Sequence, residues 1–245
     1  MNEKERYLLD LQGYLVVENV LNKEQLEALN RALDEKVQTE QSLQDFFFWD
    51  EPTFRDLITD PVIKPYLSDI IGQHYRLDHE YGIYHKKGAP PLHLHGGGTP
   101  YDPGQYYHVR NEKMYCGLTV ISYALTDIGQ DDGGFCCITG SHKSNFSCPQ
   151  DFKNFSDDAP IVHIPQKAGD VLIFTEALTH GTFPWQGNHE RRSLLYKYSP
   201  AAISWGTYDR TPELLDRLTP EQRHVLAMPA NEWVRSHIYR ESQNK

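Results

Sequence analysis

Residues 169–200 read GDVLIFTEALTHGTFPWQGNHERRSLLYKYSP, and this stretch decides the fold. It contains two runs rich in β-branched, aromatic and leucine residues, DVLIFTEA at 170–177 and SLLYKYSP at 193–200. Both runs are bounded by glycine, proline, asparagine or aspartate, which is typical of short strands. The sequence therefore predicts two neighbouring strands with a loop between them.

The ends of these two runs carry side chains with distinct chemistry. His180 closes the first run, and Arg191, eleven residues later, opens the second as Arg191-x-Ser193. Imidazole is a good ligand for a first-row transition metal such as iron. A guanidinium group holds a carboxylate through two parallel hydrogen bonds, and Ser193 faces the same way two residues on. The pattern predicts a metal enzyme whose co-substrate carries an acid group.

A second histidine group lies upstream, at His93-Leu94-His95. Histidines two apart on a strand point to the same face, so both imidazoles are available to one site. We therefore expect the metal ligands to come from His95, His180 and His93.

The strand-like pattern extends outward from residues 169–200, and helical patterns flank it. Runs at 75–85, 114–127, 134–141 and 160–165 have strand composition. Asn22 and Gln25 form a capping-box pattern before an apolar stripe at helical spacing, and Thr-Pro pairs at 211–212 and 219–220 mark two further helix starts. This organisation predicts a mainly β fold, a sandwich or jelly roll, with N-terminal helices packed on one sheet.

The chain length of 245 residues and the absence of a linker-like tract favour one domain over residues 1–245. Within it we expect a helical N-terminal support at 1–74, a jelly-roll core at 75–200 and a C-terminal helical tail at 201–245.

Bulk properties exclude several classes of protein. The net charge of −10 argues against a nucleic-acid surface, which needs clustered Lys and Arg. No run reaches the roughly 18 apolar residues of a membrane helix, and the charged N-terminus lacks the apolar core of a signal peptide.

Four cysteines without a C-x-x-C pair are expected to be small buried apolar residues. We expect a cytoplasmic protein that binds neither membrane nor nucleic acid, and the sequence leaves its oligomeric state open.

Nearly the whole chain resembles the phytanoyl-CoA dioxygenase family of the Fe(II)- and 2-oxoglutarate-dependent oxygenases. LQGYLVVENVLNKEQLEAL at 11–29 is similar to the family's opening, and SYALTDIGQDDGGFCCITGSHKSNF at 122–146 resembles its Gly-Ser-His segment, with Thr139 in place of a proline. The distal histidine and arginine strands match at His180 and Arg191, and LTPEQRHVLAMPA at 218–230 resembles the usual tail. The resemblance implies a double-stranded β-helix.

The chain departs from the family's His-x-Asp pattern, because it reads His93-Leu94-His95-Gly96-Gly97-Gly98. His93 and His95 can both be ligands and form a three-histidine face with His180. Alternatively, His95 is the family's first histidine and Gly97 stands at the carboxylate position, as in iron halogenases that leave room for a halide. Asp102 offers a third arrangement, in which the glycine-rich turn folds a carboxylate back towards the metal.

The resemblance implies Fe(II) as cofactor, 2-oxoglutarate and dioxygen as co-substrates, and a small-molecule substrate hydroxylated at an unactivated C–H bond. Arg191 and Ser193 would bind the far carboxylate of 2-oxoglutarate. A halogenase that takes chloride, a three-histidine dioxygenase independent of 2-oxoglutarate, and a non-catalytic binding protein on the same fold are the alternatives.

Overall fold

The strands of the protein are built from its β-branched and aromatic runs. The computed structural model describes residues 1–37, 43–206 and 211–243. The strands are β1 (Tyr14–Val17), β2 (Arg76–His85), β3 (Leu92–His95), β4 (Tyr107–Arg110), β5 (Lys113–Cys116), β6 (Thr119–Ala124), β7 (Gly134–Cys137), β8 (Val162–His163), β9 (Val171–Thr175), β10 (His180–Phe183) and β11 (Arg191–Ser199).

Most helices precede β2 or follow β11, and one lies between β7 and β8. The helices are α1 (Glu3–Gln12), α2 (Lys23–Lys36), α3 (Thr53–Asp56), α4 (Lys64–Ile70), α5 (Gln150–Lys153), α6 (Pro212–Asp216), α7 (Pro220–Val225) and α8 (Glu232–Gln243), with single 3₁₀ turns at Phe46–Phe48, Leu57–Thr59 and Ser141–Lys143. The capping box of Asn22 and Gln25 is confirmed at the start of α2. Thr211 and Thr219 cap α6 and α7, each with proline in the first turn.

Two antiparallel sheets face each other and enclose an apolar interior. The larger sheet has the order β1-β9-β6-β11-β2, and the smaller one has the order β3-β10-β7-β8. Val120, Leu172 and Leu195 of the larger sheet pack with Phe135 and Cys137 of the smaller one. The mainly β jelly-roll fold expected from the sequence is confirmed. The N-terminal part adds β1 to the larger sheet, and the internal boundaries at 74/75 and 200/201 stay predictions.

The outer face of the larger sheet carries the helical layer. Tyr196 and Tyr198 of β11 are fully buried there and donate hydrogen bonds to the carbonyl oxygens of Phe54 (2.7 Å) and Ile58 (3.0 Å). These hydroxyl groups satisfy backbone acceptors at the ends of short helices, where a carbonyl group has no partner within its own helix. The helices are thereby attached to the strand that carries Arg191.

The segment 114–127 is not one strand, contrary to the sequence prediction. It is interrupted at Gly117, whose amide donates to Tyr106 while its Cα lies so close to Gly104 that a Cβ would be 2.4 Å from the Gly104 carbonyl oxygen. The first half instead forms a hairpin, β4–β5, through Asn111 and Glu112, which both have positive φ angles (51° and 59°) as in a type I′ turn.

No helix within the described ranges is long and apolar enough to cross a lipid bilayer.

Candidate metal centre

His95 and His180 lie directly opposite each other on neighbouring antiparallel strands. His95 ends β3, His180 begins β10, and the two residues are cross-strand partners. Side chains in such a pair stand about 5 Å apart at their Cβ atoms, and here the ring centroids are 4.3 Å apart. The sheet register therefore brings together two imidazoles that are separated by 85 positions in the sequence.

The backbone sets the tautomer of both rings. His180 donates its Nδ1 hydrogen to the carbonyl oxygen of Leu178 at 2.7 Å, and His95 donates its Nδ1 hydrogen to the carbonyl oxygen of His93 at 3.1 Å. Because a carbonyl oxygen can only accept, the Nε2 atoms are left as acceptors. This arrangement is typical of metal-binding histidines, whose second nitrogen is held by a carbonyl or carboxylate group.

His180 is kept neutral by its surroundings. Its ring lies between Phe174 and Phe135, with centroids 4.8 and 5.8 Å away, and the residue is 6% exposed. Burial lowers the pKa of His180 to about 4, although nearby Glu176 opposes the shift. The uncharged imidazole is the form that binds a metal ion.

A carboxylate that the sequence analysis did not select completes the group. Glu176 lies in the turn between β9 and β10, and its ligand atom is within 4.8 Å of those of His95 and His180. Its Oε2 atom is 3.9 Å from His180 Nε2, and its Oε1 atom is 2.7 Å from the ammonium group of Lys197. Burial raises the pKa of Glu176, but the positive charge and hydrogen bond of Lys197 lower it, and the net shift of the pKa is downward. Glu176 is therefore a buried, ionised carboxylate.

The glycines after His95 allow the turn that carries Glu176 to approach. Gly96 and Gly97 have φ angles of +72° and +118°, which favour glycine. A Cβ on Gly96 would lie 2.6 Å from the carbonyl oxygen of Glu176, and one on Gly97 would lie 3.0 Å from Thr179 Oγ1. The glycine run thus serves close packing of the end of β3 against the turn between β9 and β10.

Arg191 is buried with part of its guanidinium group unsatisfied. The residue is 3% exposed, and its Nε and Nη1 atoms have no hydrogen-bond acceptor among the described residues. Burial lowers the pKa of Arg191 to about 10, so the group remains a cation at neutral pH. Buried donors without partners are rare in native proteins. The unsatisfied atoms fit a carboxylate ligand such as the far end of 2-oxoglutarate.

Ser193 and Arg192 lie on opposite faces of β11, as the strand period requires. Ser193 is 1% exposed and shares the face of Arg191. Arg192 forms ion pairs with Glu190 and Asp34 at the protein surface. The preference for Arg191 over Arg192 agrees with this geometry.

The remaining sequence candidates lie outside the group. His93 is exposed, and its ring lies beside that of Phe155, with ring centroids 5.7 Å apart. Asp102 accepts hydrogen bonds from the amides of Gly104 and Gln105 and so orders its own turn. A ligand role for His93 or Asp102 stays a prediction without a geometric basis in the described residues.

Sequence reasoning missed Glu176 and Lys197. A lone glutamate inside DVLIFTEA and a lone lysine inside SLLYKYSP are charged residues in otherwise apolar or aromatic runs. Such residues are rarely buried without a partner. A charged residue within a strand-like run therefore indicates a buried ion pair or a ligand.

The family model of phytanoyl-CoA dioxygenase matches residues 9–193, well over half of the chain. The chain belongs to the phytanoyl-CoA dioxygenase family. The resemblance inferred from sequence is thereby confirmed. No curated protein sequence matches this family member.

Several solved structures share the fold of this protein. HygX from Streptomyces hygroscopicus with nickel and 2-oxoglutarate bound has 26% identity and a TM-score of 0.76, over 87% of this chain and 94% of its own. AviO1 from Streptomyces viridochromogenes Tue57 has 15% identity and a TM-score of 0.65, over 83% of this chain and 97% of its own. SnoK, a non-heme alpha-ketoglutarate-dependent carbocyclase from nogalamycin biosynthesis, has 18% identity and a TM-score of 0.62, over 89% and 91%. Family membership and the HygX complexes indicate a non-haem iron, 2-oxoglutarate-dependent enzyme, as the sequence predicted.

Proposed function

We propose that this protein hydroxylates an unactivated C–H bond of a small molecule, with Fe(II) held by His95 and His180 and 2-oxoglutarate held by Arg191 and Ser193. The observation that carries the proposal is Arg191, whose buried cation has two nitrogen atoms without acceptors in the part of the chain that the structure describes. A purely structural arginine at this depth would be expected to have paired with a neighbouring acceptor.

The spacing between the histidines and Arg191 suits a five-carbon dicarboxylate. His180 pairs with Cys137 of β7, and Arg191 packs against Gly134, three residues away on the same strand. Three residues of a strand span about 10 Å. A keto acid bound to a metal ion at the histidines would direct its second carboxylate towards Arg191, across this distance.

The residues of the chain would divide the work between them. Iron and 2-oxoglutarate, when bound, supply the oxidative chemistry: with dioxygen, the keto acid gives succinate and carbon dioxide, and one oxygen atom is left for the substrate. The carbonyl oxygens of Leu178 and His93 hold the two imidazoles in position. Phe135 and Phe174 exclude water from the inner side of His180, which strengthens electrostatic interactions in the site.

A halogenase is the second candidate, because Gly97 stands where the family has its carboxylate. A halide can bind the iron only if one of the iron's coordination positions is vacant. We favour hydroxylation, because the carbonyl oxygens of Glu176 and Leu178 and the side chain of Thr179 occupy the space beside Gly96 and Gly97. The three-histidine alternative has less support, because His93 lies outside the group that contains His95 and His180. Family membership disfavours a non-catalytic role.

Anaerobic titration with Fe(II) and 2-oxoglutarate tests the proposal. We expect a visible charge-transfer band of an iron–keto acid chelate, and slow succinate release on admission of air even without the main substrate. His180→Gln should abolish both signals. Wild-type protein that takes up iron but gives neither the band nor succinate would contradict it, and oxidation products that carry chlorine would favour the halogenase.

A further inference from the structure

We propose that Glu176 is the carboxylate ligand of the iron, moved from the family's position two residues after the first histidine to a position four residues before the last one. This inference rests on the proposed function. It assigns to the chain a His95–Glu176–His180 ligand set, in which the carboxylate comes from the turn between β9 and β10.

The distances support a shared cation. Ligand atoms of all three residues lie within 4.8 Å of one another, and Glu176 Oε2 is 3.9 Å from His180 Nε2. Metal–ligand bonds of about 2.1 Å place neighbouring ligand atoms about 3 Å apart. Small side-chain movements would therefore close the group around a metal ion. Two imidazoles and a carboxylate are also the donor set of non-haem Fe(II) oxygenases.

The two oxygen atoms of Glu176 have different environments. Oε1 is held by Lys197 at 2.7 Å, and Oε2 points towards the imidazoles. A metal-bound carboxylate is usually fixed in this way, with one oxygen atom on the metal and the other bound to a neighbouring donor. At 3% exposure Glu176 is removed from water, and an ionised carboxylate at this depth needs the positive charge beside it.

The glycine run explains why the carboxylate could move. Gly96 allows the backbone of residues 176–178 to pack against the end of β3, since a Cβ there would lie 2.6 Å from the carbonyl oxygen of Glu176 and 2.7 Å from that of Leu178. An aspartate at position 97 would have to adopt a φ angle of +118° beside Thr179. The packing that brings Glu176 close therefore disfavours a side chain at the family's carboxylate position.

Lys197 is the positioning residue for this ligand. It lies on β11 across from His79 of β2, and its ammonium group stands 5.1 Å from the centre of the Tyr81 ring. Its ammonium group lies 2.7 Å from Oε1 of Glu176 and so holds the carboxylate in place. The positive charge of Lys197 also balances the negative charge of Glu176. The charge of the metal ion would then remain available to attract a dianionic keto acid.

The relocated ligand has a consequence for the reaction. With three protein ligands on one face, the positions that remain would serve 2-oxoglutarate and dioxygen, and no vacancy remains for a halide. This ligand set therefore favours hydroxylation over halogenation, whatever the substrate.

Calorimetric titration with Co(II) in the absence of 2-oxoglutarate tests the assignment without relying on activity. We expect Glu176→Gln to weaken Co(II) binding about 100-fold or more and to change the ligand-field spectrum of the bound ion. Lys197→Met should weaken binding about 10-fold, the scale of losses seen when a partner of a ligand is removed, and Lys197→Arg should restore most of it. Asp102→Asn is the matched control, and it should bind Co(II) as the wild type does.

Removing one member of a buried ion pair can destabilise the fold. We therefore repeat the Co(II) titration with the double variant Glu176→Gln/Lys197→Met, which buries no unpaired charge. Thermal melts of every apo protein are recorded alongside. The double variant should melt near the wild type and still bind Co(II) weakly. Wild-type affinity in Glu176→Gln or in the double variant, with Fe(II) and 2-oxoglutarate binding intact in the wild type, would overturn the inference and leave the proposed function standing. Failure of the wild type to bind any metal ion would overturn both.

Discussion

The Nε atom of Arg191 lies 3.4 Å from the point where a Cβ would stand on Gly134. The guanidinium group of one sheet therefore rests on the bare backbone of the other, and its Nε and Nη1 atoms have no acceptor among the described residues. The position of the Arg191 guanidinium group therefore depends on Gly134, a residue without a side chain.

Replacement of Arg191 should affect the co-substrate rather than the metal. We expect Arg191→Ala to raise the dissociation constant for 2-oxoglutarate about 100-fold, since truncating one partner of a buried charge pair costs about 2–5 kcal/mol. Calorimetry on the Co(II)-loaded protein measures the effect. Arg192→Ala is the control, because Arg192 pairs with Glu190 and Asp34 on the other face. An equal loss in both variants would contradict the assignment.

Gly134→Ala should weaken 2-oxoglutarate binding about 10-fold by displacing Arg191. Both the positive φ angle of 94° and the new methyl group oppose the substitution, so the two causes need separation. Gly88→Ala provides this separation, since Gly88 has a φ angle of 89° and no described residue has an atom within 4 Å of its Cβ position. Gly88→Ala should lose stability to a similar extent and bind 2-oxoglutarate normally. Unchanged affinity in a folded Gly134→Ala variant would count against the contact.

The two upstream histidines should behave differently. His95→Gln should weaken Co(II) binding about 100-fold or more, because a ligand is lost. His93→Gln should change it less than about 3-fold, because the His93 side chain lies near Phe155, while its backbone carbonyl still holds His95. Metal titration of both variants distinguishes the two-histidine site from the three-histidine one. A large loss in His93→Gln would restore the three-histidine interpretation.

Stability should fall as the pH is lowered from 7 to 5, in part through His142. This side chain is 2% exposed, donates from Nε2 to the carbonyl oxygen of Asp10 and faces Tyr107, with Lys143 and the Asp10 carboxylate nearby. Burial lowers the pKa of His142 to about 4 in the folded protein. Below its unfolded pKa near 6.5 the unfolded chain binds the proton more readily, so folding loses stability as the pH drops.

The contribution of His142 to this loss is about 2 kcal/mol between pH 7 and pH 5. Urea unfolding of the apo protein at the two pH values measures it. His142→Gln should flatten the dependence without removing it, because His180 and His224 also have lowered pKa values. An unaltered pH dependence in this variant would show that His142 is not responsible.

The parts of this protein that the sequence predicts are those determined by local period and spacing. The Asn22 capping box, the strand of Arg191 and the opposite orientations of Arg191 and Arg192 all follow from alternation or capping chemistry. His180 and Arg191 are eleven residues apart, a spacing that matches the family pattern.

The parts that sequence reasoning missed depend on contacts between distant segments. Glu176 belongs to a strand-like run, and its position four residues before His180 matters only because a turn folds it back beside that ring. In the sequence, the glycines after His95 indicate a turn or a missing carboxylate, while in the structure the backbone of Glu176 and Leu178 packs against Gly96. Gly117 breaks a predicted strand for the same kind of reason, a close approach to Gly104.

Strand β11 presents two unlike surfaces to two unlike layers. Arg191, Ser193 and Lys197 face the interior, while Tyr196 and Tyr198 anchor the helices through their hydroxyl groups. Because successive residues alternate between faces, inserting or deleting one residue would exchange the two sets. Evolution can therefore vary this strand by substitution, but a length change within it would remove the ligand-binding groups and the helix attachment in a single event.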